Sequence, residues 1–352
     1  MSIRVSYLSA QTKIKRNRLL PGDGHVKVLG GQQVKANDVI AEMEAHQKHM
    51  VLNVRDSINV SPSEDINHFI HRKELEWVDK GDLIAEKNGL FKRVLRSPVK
   101  GKIISIDNGI ILIESHSPTK KLLAGFDGTV VEIFPERGAA IETTGALLQC
   151  VWGNNYIGSG TLLSSNLTSQ DISDPTDFDM NMRGAIFSVN IINSIGILNT
   201  INQLNPRGLI IGSIPAKLFP IIRSQKYPIV LLEGFGNSPI NKYALDILIQ
   251  NNNQHVCINA QSIRRDETIR PEIIIPSESL IGEEIIHPVE FAPGQIVRIH
   301  DMGIEPNLGT IEKIYNEKIK FDNGIFANAA NIMLESSMNI NCPLSNLEIL
   351  VR

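Results

Sequence analysis

"VDKGDLIAEKNGLFKRVLRSPVKGKIISI", residues 78–106, sets two sharp corners between apolar runs. Gly81-Asp82 makes one hairpin corner, and Pro98 with Gly101 fixes the opposite one, because proline presets φ and glycine tolerates the turn. The same pattern recurs along the first half of the chain. "GHVKVLGGQQVKANDVIAEME" (24–44), "ELEWVDKGDLIAEKNG" (74–89) and "GTVVEIFPERGAAIETTGALLQCV" (128–151) each lead from alternating apolar residues to a polar turn. A Val or Ile, then Gly/Asn-Asp or Thr-Gly, then another apolar run follow in each. Residues 1–163 are therefore predicted to be all-β. One insertion, "SPSEDINHFIHRK" (61–73), carries the marks of a short helix: Ser61 as cap, Pro62 at the first helical position and Glu64 completing a Ser-x-x-Glu capping box. Ile66, Phe69 and Ile70 would form its apolar stripe.

Two strings within 78–106, Lys80-Gly81-Asp82-Leu83-Ile84-Ala85 and Ser97-Pro98-Val99-Lys100-Gly101, carry a family likeness. The region resembles the barrel-sandwich hybrid, or hammerhead, of biotinyl and lipoyl domains and of related non-carrier proteins. The resemblance implies that fold, and in its carrier members a modified lysine at a hairpin tip ahead of the Pro-x-x-Gly turn. Counting back from Pro98 reaches Leu90 and Phe91, with Lys92 beside them, but no Met-Lys-Met or Asp-Lys-Ala motif. Lys48, in "DVIAEMEAHQKHMV" (38–51), is flanked by Gln47 and His49, and the Ser61-Pro62 beyond it caps a helix. Lys48 is expected to be a solvated loop lysine, and no cofactor is expected.

Residues 164–182, "SSNLTSQDISDPTDFDMNM", are polar, acidic and aperiodic, which predicts a linker. Asp171, Asp174, Asp177 and Asp179 fail the spacing of a calcium loop, with neither the central Gly nor the terminal Glu in place. From 183 to 285 the period changes. Short apolar runs at 184–190, 208–213, 228–234 and 255–260 alternate with helical spacing at Ile195, Leu198, Ile201, Leu204 and at Tyr243, Ala244, Ile247, Leu248. This predicts a small doubly wound or flavodoxin-like α/β domain with a parallel sheet.

Residues 286–352 form a third expected module. "PGQIVRIHDMGIEPNLGTIEKI" (293–314) reads as Pro-Gly-x-x-Val-Arg-Ile, a loop, then Gly309 and an apolar strand, with Asp322-Asn323-Gly324 as a later hairpin turn. It resembles a KOW-type, SH3-like barrel. That family often contacts RNA or the transcription and translation machinery. The module has 5 Lys plus Arg against 8 Asp plus Glu, a sign that opposes phosphate binding.

The totals narrow the classes. The chain has 352 residues, 42% hydrophobic and 21% charged, with a net charge of −3, which fits a multidomain globular protein. Only 5% aromatic content argues against extensive base-stacking platforms. Basic residues run together only at Lys13, Lys15, Arg16 and Arg18, which read as a solvated arm. Cys150, Cys257 and Cys342 lack C-x-x-C spacing and fit buried thiols in a reducing compartment. The N-terminus shows no apolar signal region, so the cytoplasm and no membrane are expected.

In an open parallel sheet, ligands bind beyond the carboxyl ends of the strands. That rule nominates Asn190, Gly212, Ser213, Glu233, Gly234, Phe235, Gly236 and Asn237 as ligand-binding candidates. "EGFGNSP" (233–239) combines a carboxylate at a strand end with two glycines and a Ser-Pro helix start. It lacks a phosphate loop, and Glu233 would suit a hydroxyl or amine ligand; the alternative is an ion pair with Arg264 or Arg265. Glu64, His68 and His71 share one side of the expected short helix and read as its wet face; His46 and His49 make no better metal set, so no metal is expected. No catalytic arrangement emerges, and enzymatic activity stays open. Three functions remain: a non-catalytic accessory or scaffold protein of a cytoplasmic complex, with a protein partner; a small-molecule-binding protein or enzyme with its site around Glu233; and an RNA- or transcription-associated KOW protein, disfavoured by charge.

Overall fold

The computed structural model describes residues 3–43, 47–89, 92–116, 119–164, 182–261, 270–277, 288, 290–300 and 308–352. Strands make up 50% of the described residues and helix 13%. Two compact units divide it: residues 1–19, 26–40 and 122–352 form the larger, and residues 20–25 and 41–121 the smaller. The boundaries expected at 163 and 285 both fall inside the larger unit, because strands on either side of each pair with one another. The expected linker, with its four aspartates, lies outside the described residues except at its two ends.

The smaller unit holds an antiparallel sheet in the order Gln47–Asn53, Ile110–His116, Gly101–Asp107, Trp77–Val78. A hairpin pairs Leu83–Lys87 with Arg93–Arg96. Ile58, Ile66, Ile84, Ile103, Ile111 and Ile113 lie at its core. Gly101 is required by close approach: a Cβ there would stand 2.3 Å from the Glu114 carbonyl oxygen, and one at Gly24 would stand 2.3 Å from that of Glu42. Lys48 lies within a strand, in register with Ser115.

The repeat read from the sequence has a physical basis. The Asp82 carboxylate accepts from the Asp79 N–H at 3.1 Å, and the Asp38 carboxylate accepts from the Lys35 N–H at 2.8 Å. Each aspartate N–H donates back to the first residue of its turn. Ile84 and Ala85 follow one turn, Ile40 and Ala41 the other, all fully buried. The same four-residue turn, closed by an aspartate that bonds back to its first residue through both backbone and side chain, thus feeds the same apolar pair twice.

The helix expected over 61–73 is reduced to one 3-10 turn, Ile66–Phe69, capped by Asp65. Glu64 does accept from the Ser61 N–H, at 2.8 Å. The helix goes no further because Ile70 bridges to Ala85 and the His71 N–H donates to the Ile84 carbonyl, so strand pairing takes the backbone groups a helix would need. A different helix, Val54–Ile58 with Asn53 as its cap, precedes it; at this length it leaves no legible periodicity.

In the larger unit, strands β1 (Arg4–Leu19), β2 (Gly128–Phe134), β3 (Gly138–Gln149), β4 (Ile157–Ser164) and β5 (Ile186–Ile191) come first. Helix α1 (Ile195–Gln203), β6 (Gly208–Ile214), α2 (Phe219–Ser224), β7 (Ile229–Phe235), α3 (Lys242–Gln250) and β8 (His255–Asn259) follow. The chain continues through β9 (Glu272–Pro276), β10 (Ile296–Ile299), β11 (Leu308–Ile314), β12 (Ala329–Leu334), β13 (Asn339–Pro343) and β14 (Leu347–Val351). They form a continuous sheet in the order β7-β6-β5-β4-β8-β9-β3-β1-β14-β10-β11-β12-β13, with β2 on β3.

Strands β4 to β7 run parallel, and their side chains alternate between two helical layers. Phe187, Val189, Leu209, Ile211, Ile229 and Leu231 pack with α1 and α2. Ile186, Ile210, Val230 and Leu232 pack with Ala244, Ile247 and Leu248 of α3. The fourth expected parallel strand, 255–260, is instead antiparallel to β4 and to β9. An apolar run flanked on both sides fits either direction of pairing, so the sequence could not distinguish them. The C-terminal strands pair antiparallel, and β14 joins β1 in parallel. The turn at Asp322-Asn323-Gly324 links paired strands Ile319–Lys320 and Phe326–Ala327, with Gly324 at φ 83°. Among the described residues no sheet closes into a barrel.

Candidate functional site

The carboxyl ends of β5, β6 and β7 bring the nominated residues together, and the chain's own loop covers them. Asn190 Oδ1 accepts from the Ile240 N–H at 3.3 Å, and the buried Ser213 hydroxyl donates to the Ser238 carbonyl at 2.7 Å. Gly212 has no room for a side chain: a Cβ would lie 2.3 Å from the Asn190 carbonyl oxygen and 2.7 Å from the Ile240 nitrogen. Gly234 and Gly236 take φ values of 92° and 142°, which lets the loop leave β7 and fold back. The cap of α3 is Asn241, whose side chain accepts from the Ala244 N–H at 3.0 Å, rather than Ser238. Phe235, Gly236 and Asn237 remain exposed.

Glu233 faces inward. Its Oε1 accepts from Asn241 Nδ2 at 2.6 Å and from the Asn241 N–H at 3.1 Å. Its Oε2 lies 3.1 Å from Nη2 of Arg298, both side chains being 1% exposed. This approach has ion-pair length without hydrogen-bond geometry, and among the described residues Arg298 Nε also lacks a hydrogen-bond partner. The sequence offered Arg264 or Arg265 as the partner; both lie outside the described residues, and the cation at Glu233 is Arg298 of β10.

Arg298 also donates from Nη1 to Glu348 Oε2 on β14 at 3.1 Å. Glu348 accepts further from Arg270 and, at 3.0 Å, sits against His300 Nε2. Burial alone would raise the Glu348 pKa, but the His300 contact and the Arg298 and Arg270 charges overcome it and hold the carboxyl at about 2. Beside this cluster, Glu272 of β9 receives Arg16 of β1 in a two-pronged contact at 2.9 and 3.0 Å. Burial, with Glu272 beside it, pushes the Cys150 thiol well above its usual range. The four carboxylate and arginine positions had a common sequence signal: Glu233, Glu272, Arg298 and Glu348 each interrupt an apolar strand, in "LLEG", "PEIII", "VRI" and "LEIL".

Phe235 opens onto a different surface. Its ring meets Phe219 edge-on at 5.4 Å between centroids, and Phe219 meets Trp152 in the same way at 5.4 Å. Trp152 pairs with Leu231 of β7, and Asn154 fixes the segment by accepting from the Ile229 N–H at 2.9 Å and donating to the Tyr227 carbonyl at 2.8 Å. An open recess of about 570 Å³ lies here, lined by Trp152, Gly153, Asn154, Asn155, Tyr156, Phe219 and Arg223. Phe235 is 50% and Tyr156 41% exposed. Arg223 gives the rim a positive charge with no ion-pair partner among the described residues. Of this surface the sequence nominated Phe235 alone, since the other aromatics come together only through the β7 pairing and the α2 contact. No protein-family profile and no curated protein matches the chain.

Proposed function

We propose that the chain is a non-catalytic component of a larger assembly and that it holds a partner polypeptide at the recess lined by Trp152 and Phe219 and at the Phe235 ring that meets Phe219 beside it. The observation that carries this reading is the edge-to-face aromatic row, partly buried at Trp152 and Phe219 and half-exposed at Phe235, beside the cation of Arg223. Aromatic rings with a nearby arginine are the composition of protein-binding hot spots. A small-molecule pocket encloses most of its ligand; a recess this open suits an extended peptide that lays an apolar side chain on the rings and a carboxylate toward Arg223. Glu233, by contrast, is engaged with Asn241 and Arg298, which weakens the reading of a ligand site centred on it.

The finer fold assignment belongs to the same proposal. The repeated aspartate-closed turn and the close-packed Gly24 and Gly101 support a barrel-sandwich hybrid, and the antiparallel run from β10 to β14 supports an SH3-like fold left open among the described residues, both groups that mostly serve docking. No described helix is long and apolar enough to cross a membrane. The test is selection from a displayed random-peptide library against the full chain. Enrichment of peptides pairing an acidic with an apolar residue, lost in Phe235→Ala and weakened in Arg223→Glu, is the expected result. Enrichment unchanged by both substitutions would move the site elsewhere, and salt-sensitive RNA binding in its place would favour the KOW reading.

A further inference from the structure

On the larger unit, away from the aromatic recess, three side chains of different donor type converge. His255 and Cys257 are two apart on β8 and so point to the same face. Asp127, in the turn that leads into β2, reaches both: its Oδ2 lies 3.3 Å from His255 Nε2, and its Oδ1 lies 3.5 Å from Cys257 Sγ. All three donor atoms fall within 4.8 Å of one another.

We infer that Asp127, His255 and Cys257 form a binding site for a zinc-class divalent cation. A hydrogen-bonded trio tying the turn to β8 is the plain alternative, already met in part by the Cys257 thiol's bond to Asp127 Oδ1; the His255 contact and the donor types favour the cation. Good N–H···O bonds fall at about 2.7–3.2 Å, shorter than the His255–Asp127 separation. Zinc bonds of about 2.0–2.3 Å at tetrahedral angles put the donors about 3.4 Å apart for N and O and about 3.6 Å apart for S and O. The 3.3 Å separation of Asp127 Oδ2 from His255 Nε2 fits the first of those edges, and one donor atom from each of the three residues lies within 4.8 Å of the others. A mixed N, O and S set suits zinc over magnesium or calcium, which take oxygen.

The site is also positioned for entry. Cys257 is buried, while the side chains of Asp127 and His255 are 28% and 51% exposed, so solvent reaches the cation from the imidazole side and a water can complete four-coordination. The Ala36 N–H donates to Asp127 Oδ1 at 2.8 Å and orients the carboxylate, as a supporting donor does in metal sites. Burial and the Asp127 charge keep the Cys257 thiol protonated in the metal-free chain; binding releases that proton to solvent as the S–metal bond forms.

Cobalt(II) titration of the full chain under reducing conditions tests the site. One thiolate-to-cobalt charge-transfer band per chain is expected, displaced by zinc, absent in Cys257→Ser and retained in Cys150→Ser and Cys342→Ser. His255→Ala alters an exposed residue that the fold tolerates, and should weaken cobalt binding by about 10-fold at the least. A titration with no thiolate band, or a band that survives in Cys257→Ser, would overturn the assignment.

Discussion

Arg298 is the residue on which the buried electrostatics turn. It faces Glu233 and Glu348, all three side chains being 1–2% exposed. Removing one partner of a buried ion pair commonly costs about 3–5 kcal/mol, because the other charge stays buried and uncompensated. Arg298→Ala is therefore expected to lower unfolding stability by about that much in denaturant titration, and Glu348→Gln added to it should restore part of the loss. Glu348 also sets an acid limit. Its folded pKa of about 2 lies below the ordinary value of 4.5, so its stabilisation is complete above about pH 5 and is lost as pH falls toward 2. That difference corresponds to about 3 kcal/mol, and the slope of stability against acid pH should flatten in Glu348→Gln. Of these the sequence pointed to Glu233 alone and offered Arg264 or Arg265 as its partner; Arg298 and Glu348 interrupt apolar strands, but which charges meet depends on strand order.

At the scale of elements, turns were more legible than helices. The aspartate-closed turns and the hairpin corners are local chemistry, fixed by the aspartate, proline and glycine that form them. The helix expected at 61–73 had its capping signal, yet pairing of Ile70 and His71 with the 84–85 segment ended it after one turn. The α1 and α3 stripes were readable because each buries one face over more than two helical turns. The close approach at Gly101 gives an expected contrast. Gly101→Ala places a methyl 2.3 Å from a backbone oxygen and should cost about 1–3 kcal/mol by overpacking. Gly30→Ala, with nothing within 4 Å of its new Cβ, should change stability by about 0.5 kcal/mol or less. Equal effects in thermal unfolding would show that the Gly101 crossing is looser than described.

For the whole molecule, three periodicities along the chain suggested three modules, whereas the larger unit joins segments from all of them in a continuous sheet. Periodicity reports the environment of each strand and is silent about its neighbour, so the pairing of β1 with β14 and of β4 with β8 lay beyond it. A chain ending at 285 would lose β14, the parallel partner of β1, together with Arg298 and Glu348. It is expected to unfold without a sharp transition and to bind a hydrophobic dye; a cooperative transition at the full-length midpoint would contradict the shared sheet. The functional account rests on the aromatic row beside Arg223. Trp77 and Trp152 are the chain's 2 tryptophans, so in Trp77→Phe the emission reports Trp152 alone. The most direct measurement is that emission during titration with a peptide selected on the full chain. A saturable blue shift, abolished by Phe235→Ala, is the result the account expects; binding with unchanged Trp152 emission would place the partner on another surface and contradict it.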